Sequence, residues 1–366
     1  MKNLICLDIE VLPNYFLVCI QRLSNNKRVT FEALHCALTE EDREKLENLL
    51  DKYVSFGYNS LNYDIPLIAM MLDGKTPKEV YEASVDIIEN RLPQYQFYKK
   101  YDITEHDFDH FDIQEPSPAV MISLKNYATR VGSKKLQEFY LDPHSAISVD
   151  EIKKLNKYCW NDVECTIDLY NSIKGRMELR YSMSDEYGLD LRSKSDAQIA
   201  EAVISSELSK AGIKAMKPTL PQDYKCRYTA PDYIKFERED LQELLEEVEN
   251  IDFELAGNGS VLMPKSLANK KIKIGNTVYK MGIGGLHSQE KKLSVVSDEN
   301  YVMRNADFTS YYPFIILNNE FYPKHLGEGF LTVYRNIVED RIKSKSRIPE
   351  IKAELKQLYG MIGKKG

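Results

Sequence analysis

No stretch of this chain approaches the roughly 20 consecutive apolar residues that a membrane-spanning helix needs, so a membrane partner is not expected. Met1-Lys2 leads straight into a strand-like run, which leaves no room for a secretory leader. The six cysteines, Cys6, Cys19, Cys36, Cys159, Cys165 and Cys226, show no Cys-x-x-Cys spacing. That argues against a cysteine zinc site or a dithiol redox motif, and several of them lie in apolar runs. They read as reduced core thiols and imply a cytoplasmic setting. There is no internal repeat and no low-complexity segment. Net positive charge is missing too: the formal charge is −7, which argues against a protein that coats nucleic acid by charge alone.

What is present describes a globular protein with ample core. The 366 residues are 43% hydrophobic and 29% charged, enough for two or three domains. Residues 1 to about 180 alternate strands and helices. Asn3 to Glu10, Tyr15 to Arg22 and Arg28 to Ala37 read as strands, and Thr39 starts a helix over Glu40 to Tyr53. From Met183 to Asp240 the reading is helical, with Ser195-Asp196 capping a run through Ser209 and a proline-rich connector near Lys217 to Pro221. Glu237 to Glu249 reads as an acidic amphipathic helix. Residues 260 to 304 read as short strands that lead into a further strand near Asp307. The expected domains are 1–180, a helical connector over 181–260, and 261–366.

Three short segments carry acids in a pattern that suggests metal chemistry. Leu4 to Glu10 is an apolar run ending in Asp8-Ile9-Glu10, and strand periodicity points both acids to one face. Two adjacent buried carboxylates repel, and a bridging cation would relieve that; a solvated strand end would carry the same pair. Asn59 to Asp64 forms a polar turn before an apolar helix start, so Asp64 suits either a metal ligand or a helix N-cap. Asn59 could meet a nucleotide or bond its own turn. In the third segment, Tyr158 and Asp162 stand four apart at helical spacing and share a face. A phenol beside a metal carboxylate can orient or help deprotonate a water.

In order, separation and flanking residues, these segments resemble exonuclease motifs I, II and III of proofreading family B DNA polymerases of the phage type, in the Asp-Glu-Asp-Asp group that carries a Tyr. The resemblance implies an α/β, ribonuclease H-like 3′-5′ exonuclease domain. It also implies that Asp8, Glu10, Asp64 and Asp162 hold two Mg²⁺ or Mn²⁺ ions, and that Tyr158 positions the attacking water. Ser123-Leu124-Lys125-Asn126-Tyr127 resembles the Ser/Thr-Leu motif that grips a single-stranded primer end, which would make Ser123 and Leu124 DNA contacts. An ordinary helix start would look alike.

The second half resembles an incomplete polymerase palm and fingers. Asn305-Ala306-Asp307-Phe308-Thr309-Ser310-Tyr311-Tyr312-Pro313 is similar to family B motif A, with Tyr311 where Leu is usual. The resemblance makes Asp307 a ligand of the triphosphate metal and packs Tyr312 under the sugar. Met281 to Ser288 contains Gly284-Gly285 and resembles the Tyr-x-Gly-Gly segment that contacts template; glycines let backbone approach phosphate, and a plain hairpin turn would use them equally. Lys352 to Gly360 is compared with motif B, with Lys352 as a triphosphate contact and Lys356-Gln357 replacing Asn-Ser. Leu331 to Gly366 holds nine Lys or Arg against four Asp or Glu, a fingers-like run or a solvated hairpin. No Asp-Thr-Asp motif C follows, so polymerisation is not expected from this chain unless a second polypeptide supplies it.

The leading expectation is therefore a phage-type DNA polymerase with metal-dependent proofreading, acting on single-stranded 3′ ends and primer-template DNA in the host cytoplasm. A stand-alone 3′-5′ DNA exonuclease and an inactive DNA-binding or assembly subunit are the alternatives.

Overall fold

The computed structural model describes residues 3–118, 122–216, 220–221, 223–257, 259–306, 308, 310–340 and 342. Two compact units divide after Lys210. The fold is mixed α/β.

The first unit is built on a five-stranded sheet of order β3-β2-β1-β4-β5, formed by β1 (Leu4–Leu12), β2 (Tyr15–Arg22), β3 (Arg28–Leu34), β4 (Val54–Gly57) and β5 (His110–Asp112). β1, β2 and β3 run antiparallel, whereas β4 lies parallel to both β1 and β5. β3 stops three residues before the expected end because His35 takes a left-handed φ of 64°, a backbone state that cannot continue a strand.

Alternation along β1 divides the core in two. Ile5, Leu7 and Ile9 join one apolar cluster with residues from α1 (Glu40–Lys52), α2 (Asp64–Leu72), α3 (Pro77–Ile88) and α4 (Gln94–Tyr101). Cys6 and Leu12 join the other, which packs residues from α5 (Leu124–Val131), α6 (Val149–Ser172) and α7 (Lys174–Tyr187). Phe56 anchors that second cluster, stacking on Phe111 at 5.3 Å and tilted against Tyr170 at 4.7 Å. Each such aromatic pair adds about 0.5–1.5 kcal/mol beyond its buried area.

Local caps explain where the helices begin. Thr39 accepts from the Asp42 amide at α1, and Thr76 with Glu79 forms a reciprocal capping box at α3. Ser148 with Glu151 does the same for the 24-residue α6.

The first unit extends past the boundary expected near residue 180. Arg180, 2% exposed, donates to the Lys194 carbonyl at 3.0 Å and to Asp196 at 2.6 Å. A buried guanidinium needs those acceptors, and they tie the entry of α8 (Asp196–Lys210) to α7.

In the second unit, helix does not continue to Asp240 as expected. The described residues of 211–238 are irregular apart from β6 (Lys225–Cys226), which pairs with β7 (Phe253–Glu254). α9 (Glu239–Asn250) matches the acidic amphipathic helix. After α10 (Lys265–Ala268), a meander of β8 (Lys271–Ile274), β9 (Thr277–Gly282) and β10 (Gly285–Ser288) follows, then α11 (Tyr311–Asn318). Residues 329–340 are helical. The strand expected before Asp307 is not found among the described residues 289–306. There Asp298 accepts from the amides of Asn300 and Tyr301 at 2.8 and 2.9 Å and bends the chain.

Candidate metal centre

The centre lies where β1 loses its parallel neighbour. The β1–β4 ladder ends at the pair Cys6–Phe56, and β4 stops at Gly57. Beyond that point one edge of β1 is open. Asp64, the first residue of α2, fills it by accepting hydrogen bonds from the Ile9 amide and from its own amide. Tyr63 rather than Asp64 is the cap residue of α2, so the N-cap alternative is not the one adopted.

Gly57 makes the close turn possible. A Cβ there would stand 2.6 Å from the Ser60 Cβ and 3.2 Å from the Leu7 carbonyl oxygen. The turn is held from β5. His110, 7% exposed, bridges the Ser55 and Ser60 hydroxyls through its two ring nitrogens at 2.8 and 2.7 Å. Burial pushes the His110 pKa down to about 3, so the ring stays neutral with one nitrogen donating and the other accepting. Asp112 accepts from the amides of Asn59 and Leu61 at 2.9 and 3.2 Å. Asn59 takes a left-handed φ of 58° at the head of this turn.

Asp8 and Glu10 lie on the face of β1 that meets α6, and both remain partly accessible. From α6, Cys159 donates its thiol to the Asp8 carbonyl at 3.5 Å and to the Asp8 carboxylate at 3.6 Å. One ligand atom from each of Asp8, Glu10 and Cys159 falls within a 4.8 Å group. Asp162 is 8% exposed, and its carboxylate meets the Lys125 ammonium at 3.1 Å. Lys125 also stands 4.1 Å from the centroid of the Tyr158 ring, whose edge meets Phe139 at 5.2 Å.

The four acids repel one another through a poorly solvated space. Burial, then Asp64, Asp162 and Glu10, hold the Asp8 carboxyl well above its ordinary range. Burial and Asp162 do the same to Glu10, with Lys125 opposing. Asp64 is pushed up to about 8 by burial and by Asp112, against the amides that it accepts from. Asp162 is raised by burial, with Lys125 and Tyr158 opposing. Burial and the Asp162 and Glu10 charges hold the Tyr158 phenol far above its usual pKa, so it keeps its proton. The Cys159 thiol is also pushed up by burial, so it is a hydrogen-bond donor here rather than a thiolate. Among the described residues, the group near enough to share one ion is therefore Asp8, Glu10 and Cys159, while Asp64 and Asp162 reach it through their charge; the carboxylates among them are hard oxygen donors, the kind that suits a divalent cation such as Mg²⁺ or Mn²⁺.

The remaining anticipated residues are distributed as follows. Ser123 is the N-cap of α5 and accepts from the Asn126 amide at 3.3 Å, while Leu124 packs against the second core cluster. The Tyr58 hydroxyl donates to the Ile122 carbonyl, which links the turn that follows β4 to the entry of α5. Gly284 and Gly285 sit at the β9–β10 hairpin, where Gly282 pairs with Gly285 and Gly285 has a φ of 144°. Both glycines are exposed there. Tyr312 lies in the first turn of α11 and is 68% exposed. Asp307 and Lys352 lie outside the described residues, as do Lys356, Gln357 and most of the basic run over 331–366.

Lys125, Cys159, His110 and Asp112 were not anticipated as parts of this centre. Lys125 had the best signal, following directly after Ser123-Leu124. No family model, curated protein or solved structure matches this chain. No described helix is long and apolar enough to cross a membrane, and all six cysteines are unpaired.

Proposed function

We propose that this chain is a phage-type family B DNA polymerase chain whose first unit is a ribonuclease H-like 3′-5′ exonuclease acting on single-stranded DNA ends. The observation that carries the reading is the electrostatic convergence of Asp8, Glu10, Asp64 and Asp162, from three distant segments, beside the Tyr158 phenol. The sheet order, three antiparallel strands followed on the β1 side by two parallel ones, supports the ribonuclease H-like reading of the first unit.

In this mechanism Asp8, Glu10, Asp64 and Asp162 would hold divalent ions, Mg²⁺ or Mn²⁺. When bound, the ions supply positive charge that acidifies water and offsets charge developing on the scissile phosphate and leaving 3′ oxygen. Tyr158 keeps its proton, so it orients the attacking water by hydrogen bonding and does not remove a proton. Phe139 and Lys125 limit the movement of its ring. Asn59 and the Ser123-Leu124 entry of α5 are joined through the Tyr58–Ile122 hydrogen bond, and in this reading they line the path of the 3′ end.

For the second unit, the motif A, Gly-Gly and motif B resemblances support a palm-like role, with Tyr312 and the Gly284-Gly285 hairpin exposed. The test is a 3′-to-5′ degradation assay on 5′-labelled single-stranded DNA with Mg²⁺, wild type against Asp8→Ala. Shortening by the wild type alone is expected. Equal products from both proteins, or none from the wild type with either Mg²⁺ or Mn²⁺, would reject the exonuclease reading. A primed template with dNTPs tests the polymerase part separately.

A further inference from the structure

β5 is three residues long, yet every one of its side chains is buried: His110 at 7%, Phe111 at 0% and Asp112 at 5% exposed. Phe111 serves the core. The two polar neighbours face the turn over 57–63, which carries Asn59 and delivers Asp64 to β1. Burying a carboxylate is costly unless its oxygens are well hydrogen-bonded, so the partners of Asp112 indicate its role. They are backbone amides: Asn59 at 2.9 Å, Leu61 at 3.2 Å and Gln114 at 2.8 Å. These three donors are all main-chain N–H groups, not charged side chains. Its own amide is anchored in turn, donating to the Ser193 hydroxyl at 2.9 Å, and the neighbouring Ile113 amide donates to the Gly57 carbonyl at 3.0 Å. One carboxylate thus gathers the amides of a turn whose first residue, Asn59, is in a left-handed conformation five positions before Asp64.

We propose that Asp112 is a positioning residue: it holds the Asn59–Leu61 turn and thereby fixes where Asp64 stands against the open edge of β1. As the consequence for metal uptake, this rests on the divalent-ion reading of the centre. Asp112 does not touch the ions or the DNA in this account; it acts through the turn.

The experiment compares wild type, Asp112→Asn, Asp112→Ala and Asp8→Ala by amide hydrogen exchange and by calorimetric titration with Mn²⁺ alone. Asp112→Ala should speed exchange at Asn59 and Leu61 at least tenfold and weaken Mn²⁺ binding by about 10- to 100-fold, the range for outer-shell ligand supports. Asp112→Asn keeps one acceptor oxygen and should fall between, a partial rescue that a purely space-filling role would not produce. It also carries the test if the alanine variant fails to fold. Wild-type exchange at Asn59 and Leu61 in both variants overturns the proposal, as does a Mn²⁺ affinity in both variants equal to that of a wild type that binds the ion. If the wild type takes up no Mn²⁺, the ion-site reading fails, and the exchange rates alone then support or overturn the positioning role.

Discussion

Replacing Asp64 by Asn should stabilise the ion-free protein while abolishing its response to divalent ions. The Asp64 carboxyl is pushed up to about 8 in the folded chain from an ordinary 3.8, first by burial and then by Asp112. An acid with a raised folded pKa binds more protons folded than unfolded. Its favourable contribution is therefore complete below about pH 4 and is lost as pH rises toward 8. A shift of that size corresponds to an upper bound of roughly 6 kcal/mol at about 1.36 kcal/mol per pH unit. Relaxation and sharing of protons among the acids reduce it, and about 2 kcal/mol is a reasonable expectation. Asn keeps an oxygen for the Ile9 amide and carries no charge. In a compact unit ending at Lys210, 2 kcal/mol amounts to a rise of about 4–8 °C in Tm. The assay is thermal unfolding in EDTA at pH 5 and pH 8, repeated with Mn²⁺. Wild type should lose stability between pH 5 and pH 8 and regain it with Mn²⁺. Asp64→Asn should be flatter with pH, more stable than wild type at pH 8 in EDTA, and indifferent to Mn²⁺. A less stable Asn variant under those conditions, or a wild type whose stability rises from pH 5 to pH 8 in EDTA, would refute the electrostatic reasoning.

Gly57→Ala should destabilise the first unit by about 1–3 kcal/mol, because its Cβ would meet Ser60 at 2.6 Å and the turn has little space to give; urea unfolding measures it. Asp162→Ala should abolish cleavage of single-stranded DNA, whereas Tyr158→Phe should leave a measurable remainder, since the phenol orients and does not ionise. Equal and complete loss in both contradicts the assigned roles. Arg28 lies over the ring of Trp160, the chain's one tryptophan, at 4.7 Å and pairs with the half-exposed Glu164. Arg28→Ala should therefore alter tryptophan fluorescence while costing only about 1 kcal/mol, and an unchanged spectrum would argue against that contact in solution.

Much of the local structure was legible in the residues because its causes are local. Alternation set the faces of β1, Thr39 and Ser148 marked helix starts, and the four-residue step in α6 put Tyr158 and Asp162 on one side. The acids themselves could be named as candidates because three segments fell in a telling order and separation; Asp8-x-Glu10 alone suits a solvated strand end as well. Asp112 and His110 could not, because a three-residue strand is too short to show a period. The strand expected before Asp307 failed where Asp298 turned the chain, and the boundary near residue 180 moved to Lys210 because Arg180 requires acceptors at Lys194 and Asp196.

By itself, then, the order of residues determined which side chains could carry metal chemistry and which way each strand and helix faces, since those follow from spacing of two or four residues. Only the tertiary structure decided that α6 crosses β1 with Cys159 against Asp8, that Lys125 neutralises part of Asp162, and that Asp64 hangs from the Ile9 amide. Those contacts join residues 37 to 151 positions apart in the chain, and their energies depend on burial and on mutual repulsion, which exist only after the sheet and helices have packed.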